Sequence, residues 1–217
     1  MPEERIVTPY EGTGSRAWEE GAAIPAPLEP HTTRVSPKWV DYNGHMSESC
    51  FLLVFGDSSD AFFRYLGIGE EYRASGRSLF TVETHLHHLR EAAEGDPLAL
   101  TLRVLGHDAK RVHVFHEMRH AGSGQLLATA EQLLLHVDME EGRARPLPDE
   151  LTRRLDAIRR AHSRLPVPES VGRPMGIPHR PRTPAASGPG TPGAPDAPGT
   201  AGAPDTPGTS DTPGTPR

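Results

Sequence analysis

The stretch Ser47-Glu48-Ser49-Cys50-Phe51-Leu52-Leu53-Val54-Phe55-Gly56-Asp57-Ser58-Ser59-Asp60-Ala61-Phe62-Phe63-Arg64-Tyr65-Leu66 decides how the rest of the chain must be arranged. Phe51, Phe55, Phe62 and Leu66 recur at helical spacing, with Val54, Ala61 and Tyr65 beside them. The spacing predicts a helix over 47–66, apolar around so much of its circumference that it is buried on more than one side. Ser47 and Glu48 suit its first turn, where the helix dipole favours a negative group, and Gly67 suits the position after its last.

Beyond the helix the apolar period changes from 3.6 to 2. In 78–90, Phe80, Val82, Thr84 and Leu86 fall on one face of a predicted strand, and Glu83, His85 and His87 on the other. Leu98, Leu100, Leu102 and Val104 alternate in the next strand, and Val112, Val114, His116 and Met118 in the one after it. A longer apolar strand covers 126–137. Turns at 95–97, 106–110 and 121–124 are short, so the four strands are expected to form an antiparallel meander. Upstream, 32–36 is a short strand ended by Pro37, and 39–46 is a loop marked by Asn43-Gly44. Downstream, Leu151, Leu155 and Ile158 mark a helix over 148–164. A sheet with one apolar face must cover it, and the 47–66 helix is the element able to do so. The class is α+β, a curved antiparallel sheet wrapped around a long central helix, with a C-terminal helix added.

The flanks have a different composition. Residues 1–30, rich in Pro, Gly and Glu, are expected to form an irregular arm, and 31–165 the folded domain. Residues 166–217 become a Pro/Gly/Thr-rich tail that cannot offset its own ordering entropy, so disorder is expected there. The net charge of -6, from 23 basic and 29 acidic side chains, argues against nucleic acid as a partner. No apolar run approaches membrane-spanning length and no signal segment opens the chain, so no membrane partner and a cytoplasmic location are expected. The single cysteine, Cys50, excludes an internal disulfide and is expected to be a small buried residue of the helix.

Chemistry concentrates in Asp41-Tyr42-Asn43-Gly44-His45-Met46. A helix start carries unpaired N–H groups and partial positive charge, which polarise a carbonyl held against them. A carboxylate beside it, Asp41, can attack that carbonyl or activate water. Asn43 can orient the water or the carboxylate, Gly44 permits close approach, and His45 can donate to a leaving sulfur or a phosphate. The same residues are also good turn and N-cap chemistry, and the loop alone does not choose between the two.

Trp39-Val40-Asp41-Tyr42-Asn43-Gly44-His45-Met46 resembles the loop of hot-dog-fold thioesterases related to 4-hydroxybenzoyl-CoA thioesterase, over roughly 33–148. Phe80-Thr81-Val82-Glu83-Thr84-His85 and 108–117 look like the betainyl-CoA thioesterase branch, which releases glycine betaine from its CoA thioester in carnitine breakdown. The resemblance implies Asp41 as nucleophile or general base, an acyl-CoA substrate, no metal and no cofactor beyond the CoA of the substrate. It also implies a homodimer with sites at the interface; assembly into tetramers is left open. A non-catalytic acyl-CoA-binding module on the same fold is the alternative.

Other residues have two readings. Glu83 is either a second active-site acid or part of a solvated strand face or ion pair. Lys110 and Arg111 either hold CoA phosphates or are ordinary edge-strand charges. Trp39 and Tyr42, with Phe55, Phe62 and Phe80 as weaker candidates, could cage a trimethylammonium group. Gly44 and Met46 would line the substrate's path. His85, His87 and His88, with His113 and His116, superficially resemble a metal cluster but complete no recognisable ligand pattern.

Overall fold

The computed structural model describes residues 7–11 and 17–177. The elements run β1 (Leu28–Arg34), a 3-10 turn (Pro37–Trp39), α1 (Glu48–Tyr65), α2 (Glu70–Ala74), β2 (Arg77–His88), β3 (Pro97–His107), β4 (Arg111–His120), β5 (Leu126–Asp138), β6 (Arg143–Ala144) and α3 (Asp149–His162). The helix predicted over 47–66 is α1, with Ser47 and Leu66 as its caps and Gly67 in the left-handed region at φ 91°. The turn α2 carries no apolar period and was not anticipated.

All strand pairs are antiparallel, in the order β1-β3-β4-β5-β2, with β6 on β5. The expected meander holds for β3, β4 and β5. The strand β2 departs from it and pairs with β5 at the far edge, not with β3. The β2–β3 connection must therefore cross three strand spacings, roughly 14 Å. It does so beside the start of α1. Met46 N donates to Ala92 O (2.8 Å), Gly95 N to Val35 O (2.9 Å) and Val35 N to Asp96 O (3.0 Å).

The α1 stripe Phe51, Val54, Phe55, Ser58, Phe62 and Tyr65 is buried against the sheet. Its first half packs with Leu98, Leu100, Met118, Ala128 and Ala130; its second half packs with Leu102, Val104, Val112, Leu134 and the α3 residues Leu151, Leu155 and Ile158. Each buried Phe or Leu contributes about 1.5–3 kcal/mol relative to exposure. A polar seam lies between α1 and the sheet. Ser58 Oγ lies 3.2 Å from His116 Nδ1, and Ser59 Oγ donates to Gln132 Oε1 at 2.9 Å. Burial pushes the His116 imidazole down to about 3, so it stays neutral at pH 7.

A bulge corrects the faces expected for β2. Thr81 pairs with Leu134 and Glu83 with Leu133, so Val82 is the extra residue. One inserted residue flips the alternation. Phe80, opposite Leu135, shares the outer face with Glu83 and His85, while Thr81 and Thr84 turn toward α1. Phe80 and Val82 are 49% and 52% exposed.

Both expected domain boundaries move. β1 begins at Leu28, paired with Leu102, and Tyr10 Oη donates to Pro30 O (3.0 Å), so the arm lies on the domain. The segment after α3 also belongs to the fold. Arg103 donates to Pro166 O (2.6 Å), and Gly172 N donates to Glu131 Oε2 (2.9 Å). The remainder of the expected tail, 178–217, lies outside the described residues.

Asp57 is 8% exposed on the flank of α1, and burial with the neighbouring Asp60 carboxylate pushes its carboxyl up to about 6. A carboxyl raised in the fold contributes stability below its unfolded value, and that contribution is lost as pH rises toward 6. Ionised Asp57 thus costs about 3 kcal/mol at pH 8. Asp57→Asn should raise Tm by several degrees at pH 8 and hardly at all at pH 4. Equal shifts at both pH values in calorimetry would refute this assignment.

Candidate active site

Asp41 is placed by a tight backbone knot. Asp41 N donates to His45 O (2.9 Å), Gly44 N donates to Asp41 O (3.0 Å), and Val40 bridges Met46. Gly44 adopts φ 81°, a conformation that L side chains resist. Ser47 N donates to Trp39 O (2.8 Å), which fixes the loop onto the start of α1. Asn43 N donates to Asp41 Oδ1 (2.8 Å), which orients the carboxylate.

The helix start is open. The Ser47 side chain makes no cap hydrogen bond, and its Oγ faces Ser49 Oγ at 3.4 Å. Cys50 N donates to Ser47 O (2.9 Å), but the Glu48 and Ser49 N–H groups, at the first two helical positions, have no intrahelical acceptor, so they can receive an oxyanion. His45 Nε2 lies 3.2 Å from Glu91 Oε2, just past the end of β2. Sequence reasoning missed Glu91, because nothing in the local pattern joins it to the loop. Met46 is buried in the core beneath the loop, so it anchors the loop instead of lining an open path. Cys50 is half-buried and packs against the same cluster.

The structure brings Asp41, Asn43, Gly44 and His45 together in one loop with Trp39, Tyr42 and Met46, but not Glu83, Lys110 or Arg111. Glu83 lies mid-strand on the outer face, 3.0 Å from His85 Nε2, and does not face Asp41 within one protomer. Arg111, preceded by Lys110, begins β4 opposite Leu135, which pairs on its other side with Phe80, whereas Met118, at the other end of β4, packs in the cluster beneath the Asp41 loop. Lys110 and Arg111 are thus roughly a strand length from Asp41 in the same protomer. Arg111 is also occupied, its Nε donating to Asp108 Oδ2 at 2.8 Å and its Nη2 to the same oxygen at 2.5 Å. Among the described residues, no aromatic cage forms within one protomer. Trp39 packs on the core, Phe55 and Phe62 are core residues, Phe80 faces outward, and Tyr42 is 97% exposed. His88 faces inward onto Phe51, with ring centroids 4.9 Å apart, while His85 and His87 face outward.

A family model described as the thioesterase-like superfamily matches residues 35–155, from just after β1 into α3. The chain belongs to this superfamily. Betainyl-CoA thioesterase of Pseudomonas aeruginosa is 46% identical over 152 residues, which cover 70% of this chain and 96% of that protein. L-carnitine dehydrogenase/betainyl-CoA thioesterase of Rhizobium meliloti is 42% identical over 167 residues, 74% of this chain but only 34% of that longer protein. A candidate thioesterase from Pseudomonas putida, known from its crystal structure, superposes with a TM-score of 0.63 at 32% identity, covering 72% of this chain and all of that one. The sheet wrapped on α1 is the hot-dog fold, and the protein is a thioester hydrolase.

Proposed function

We propose that this thioesterase hydrolyses betainyl-CoA to glycine betaine and CoA, with Asp41 acting on the thioester carbonyl. The observation that carries this reading is the oriented Asp41 carboxylate beside the uncapped start of α1. The open N–H groups take the charge that develops on the carbonyl oxygen. Asp41 either removes a proton from water as it attacks carbon, or attacks carbon itself to form an anhydride that water then opens. On both routes the C–S bond breaks, the sulfur leaves as thiolate, and His45 is placed to give it a proton. The acyl group is supported by the 46% identical relative, which bears that substrate's name. Around the loop, Glu48 in the first turn of α1 and Glu91 join Asp41 in favouring a cationic acyl group. Tyr42 offers an aromatic wall for the trimethylammonium group.

The working unit in this reading is a homodimer formed through β2. This strand is a 12-residue sheet edge whose Phe80 and Val82 are exposed, and an edge of that kind calls for a covering strand. Two copies related by an axis normal to the sheet pair their β2 strands antiparallel. In a panel of short acyl-CoA thioesters followed by free-thiol release, betainyl-CoA should give the highest kcat/KM. The neutral isostere 3,3-dimethylbutyryl-CoA should be at least about tenfold poorer, the value of one well-placed cation contact. Equal or better turnover of the isostere would overturn the acyl assignment.

A further inference from the structure

An open cavity of about 470 Å3 lies at the C-terminal end of α1, lined by Arg64, Glu70, Tyr72, Ser75 and Arg77. The 18 residues of α1 set it roughly 27 Å from the Asp41 loop of the same protomer. Its cations differ in one respect. Arg64 is engaged by Asp60 (3.2 Å), and nearby Arg145 by Asp138 and Glu141 (both 3.0 Å). Arg77 has no carboxylate partner among the described residues. Its Nε donates to Ser75 Oγ at 3.2 Å, and its guanidinium carbon stands 5.1 Å from the centre of the Tyr72 ring. The ring is itself fixed, because Tyr72 Oη lies 2.8 Å from His136 Nε2 and His136 Nδ1 lies 3.1 Å from Arg145 O. Arg77 is therefore a pre-positioned guanidinium fork with unused donors, suited to an oxyanion such as a phosphate.

Arg77 opens β2, and the other end of β2 leads directly to the catalytic loop. Leu89 and Arg90 donate to Leu127 O, Glu91 meets His45, and Ala92 O accepts from Met46 N. Antiparallel pairing of β2 with a second copy sets the start of one strand beside the end of the other. A register centred on Val82, in the exposed stretch, puts Arg77 opposite the partner's His87. We propose that Arg77 serves the partner's Asp41 site, where it holds a phosphate of the CoA carrier of the substrate. This rests on the β2 dimer of the preceding reading and adds a binding residue to the same site.

Arg77→Gln should raise KM for betainyl-CoA roughly tenfold or more, the usual loss for a charge-assisted contact, with kcat nearly unchanged. KM for betainyl-pantetheine, which lacks the phosphates, should not move, and Arg77→Lys should recover part of the loss. An equal rise for both thioesters, or no rise for either, would overturn the phosphate role. Co-expressing Arg77→Gln with Asp41→Asn tests the shared site. In each heterodimer one site then combines native Asp41 with native Arg77 from the other copy. At low betainyl-CoA, activity well above the sum of the two homodimers is expected, whereas no gain would show that Arg77 does not act across the interface. Sedimentation of the native protein as a monomer would instead remove the dimer itself, a failure distinct from that of Arg77.

Discussion

Placing two carboxylates on the free edge of β2, as Phe80→Asp with Val82→Asp, is expected to split the proposed β2-paired dimer and take nearly all activity with it. The two side chains are half exposed in one protomer, so the change should be tolerated by the protomer fold. Backbone pairing of β2 with β5 remains, and so does the core packing of Leu79. Across the two-fold axis the consequence is different. Each new carboxylate meets copies of itself on the opposing strand, and like charges facing each other destabilise strand pairing. The apolar area that favoured association is lost as well. With the partner gone, substrate is held by one side of its site only, and a small loss of positioning is enough to cost roughly 10²-fold in rate. Sedimentation should show a monomer with a cooperative thermal transition, and kcat/KM for betainyl-CoA should fall by that order. A folded monomer with full activity would show that each protomer carries a complete site.

The parts of this fold that were legible in the sequence are those written as periodicity. The α1 stripe from Phe51 to Leu66 and the alternations in β3 and β4 each repeat often enough to fix element type and buried face, and the apolar run of β5 fixes its type. The Val82 bulge was not legible, because one extra residue leaves no mark on composition, yet it moves Phe80 from the inner face to the outer. The pairing of β2 with β5 was hidden as well. A short connection suggested a hairpin, whereas the observed strand order makes the chain cross the sheet there, with 92–96 bonded to Met46 and Val35. At the site, the placement of Asp41 and Gly44 could be read because it is local: a carboxylate before a helix and a turn with positive φ. Residues whose roles depend on distance could not be placed this way. Lys110 and Arg111 have the right charge but sit at the opposite end of the sheet from Asp41, and His45 meets Glu91 from 46 positions further along the chain. Asp57, buried beside Asp60, looks in sequence like any polar position on a helix flank.

In the proposed reaction Asp41 is the residue on which the chemistry rests, and its neutral isostere separates chemistry from structure. In Asp41→Asn the backbone knot is unchanged, since its bonds use Asp41 N and Asp41 O, and the side-chain oxygen can still accept from Asn43 N. Thermal stability and dimerisation should therefore match the native protein. What disappears is the negative charge that activates water or attacks the carbonyl. Loss of such a group costs roughly 10² to 10⁴ in turnover, while the helix start and the binding residues still hold the thioester. The uncapped first turn of α1 alone would leave a small residual rate. The decisive measurement is free-thiol release from betainyl-CoA by native and Asp41→Asn protein at equal concentration. Native protein should turn over the thioester many times per site, with the folded variant slower by at least two orders of magnitude. A folded variant that keeps pace with the native enzyme would contradict the assignment of Asp41 and with it this account of the site.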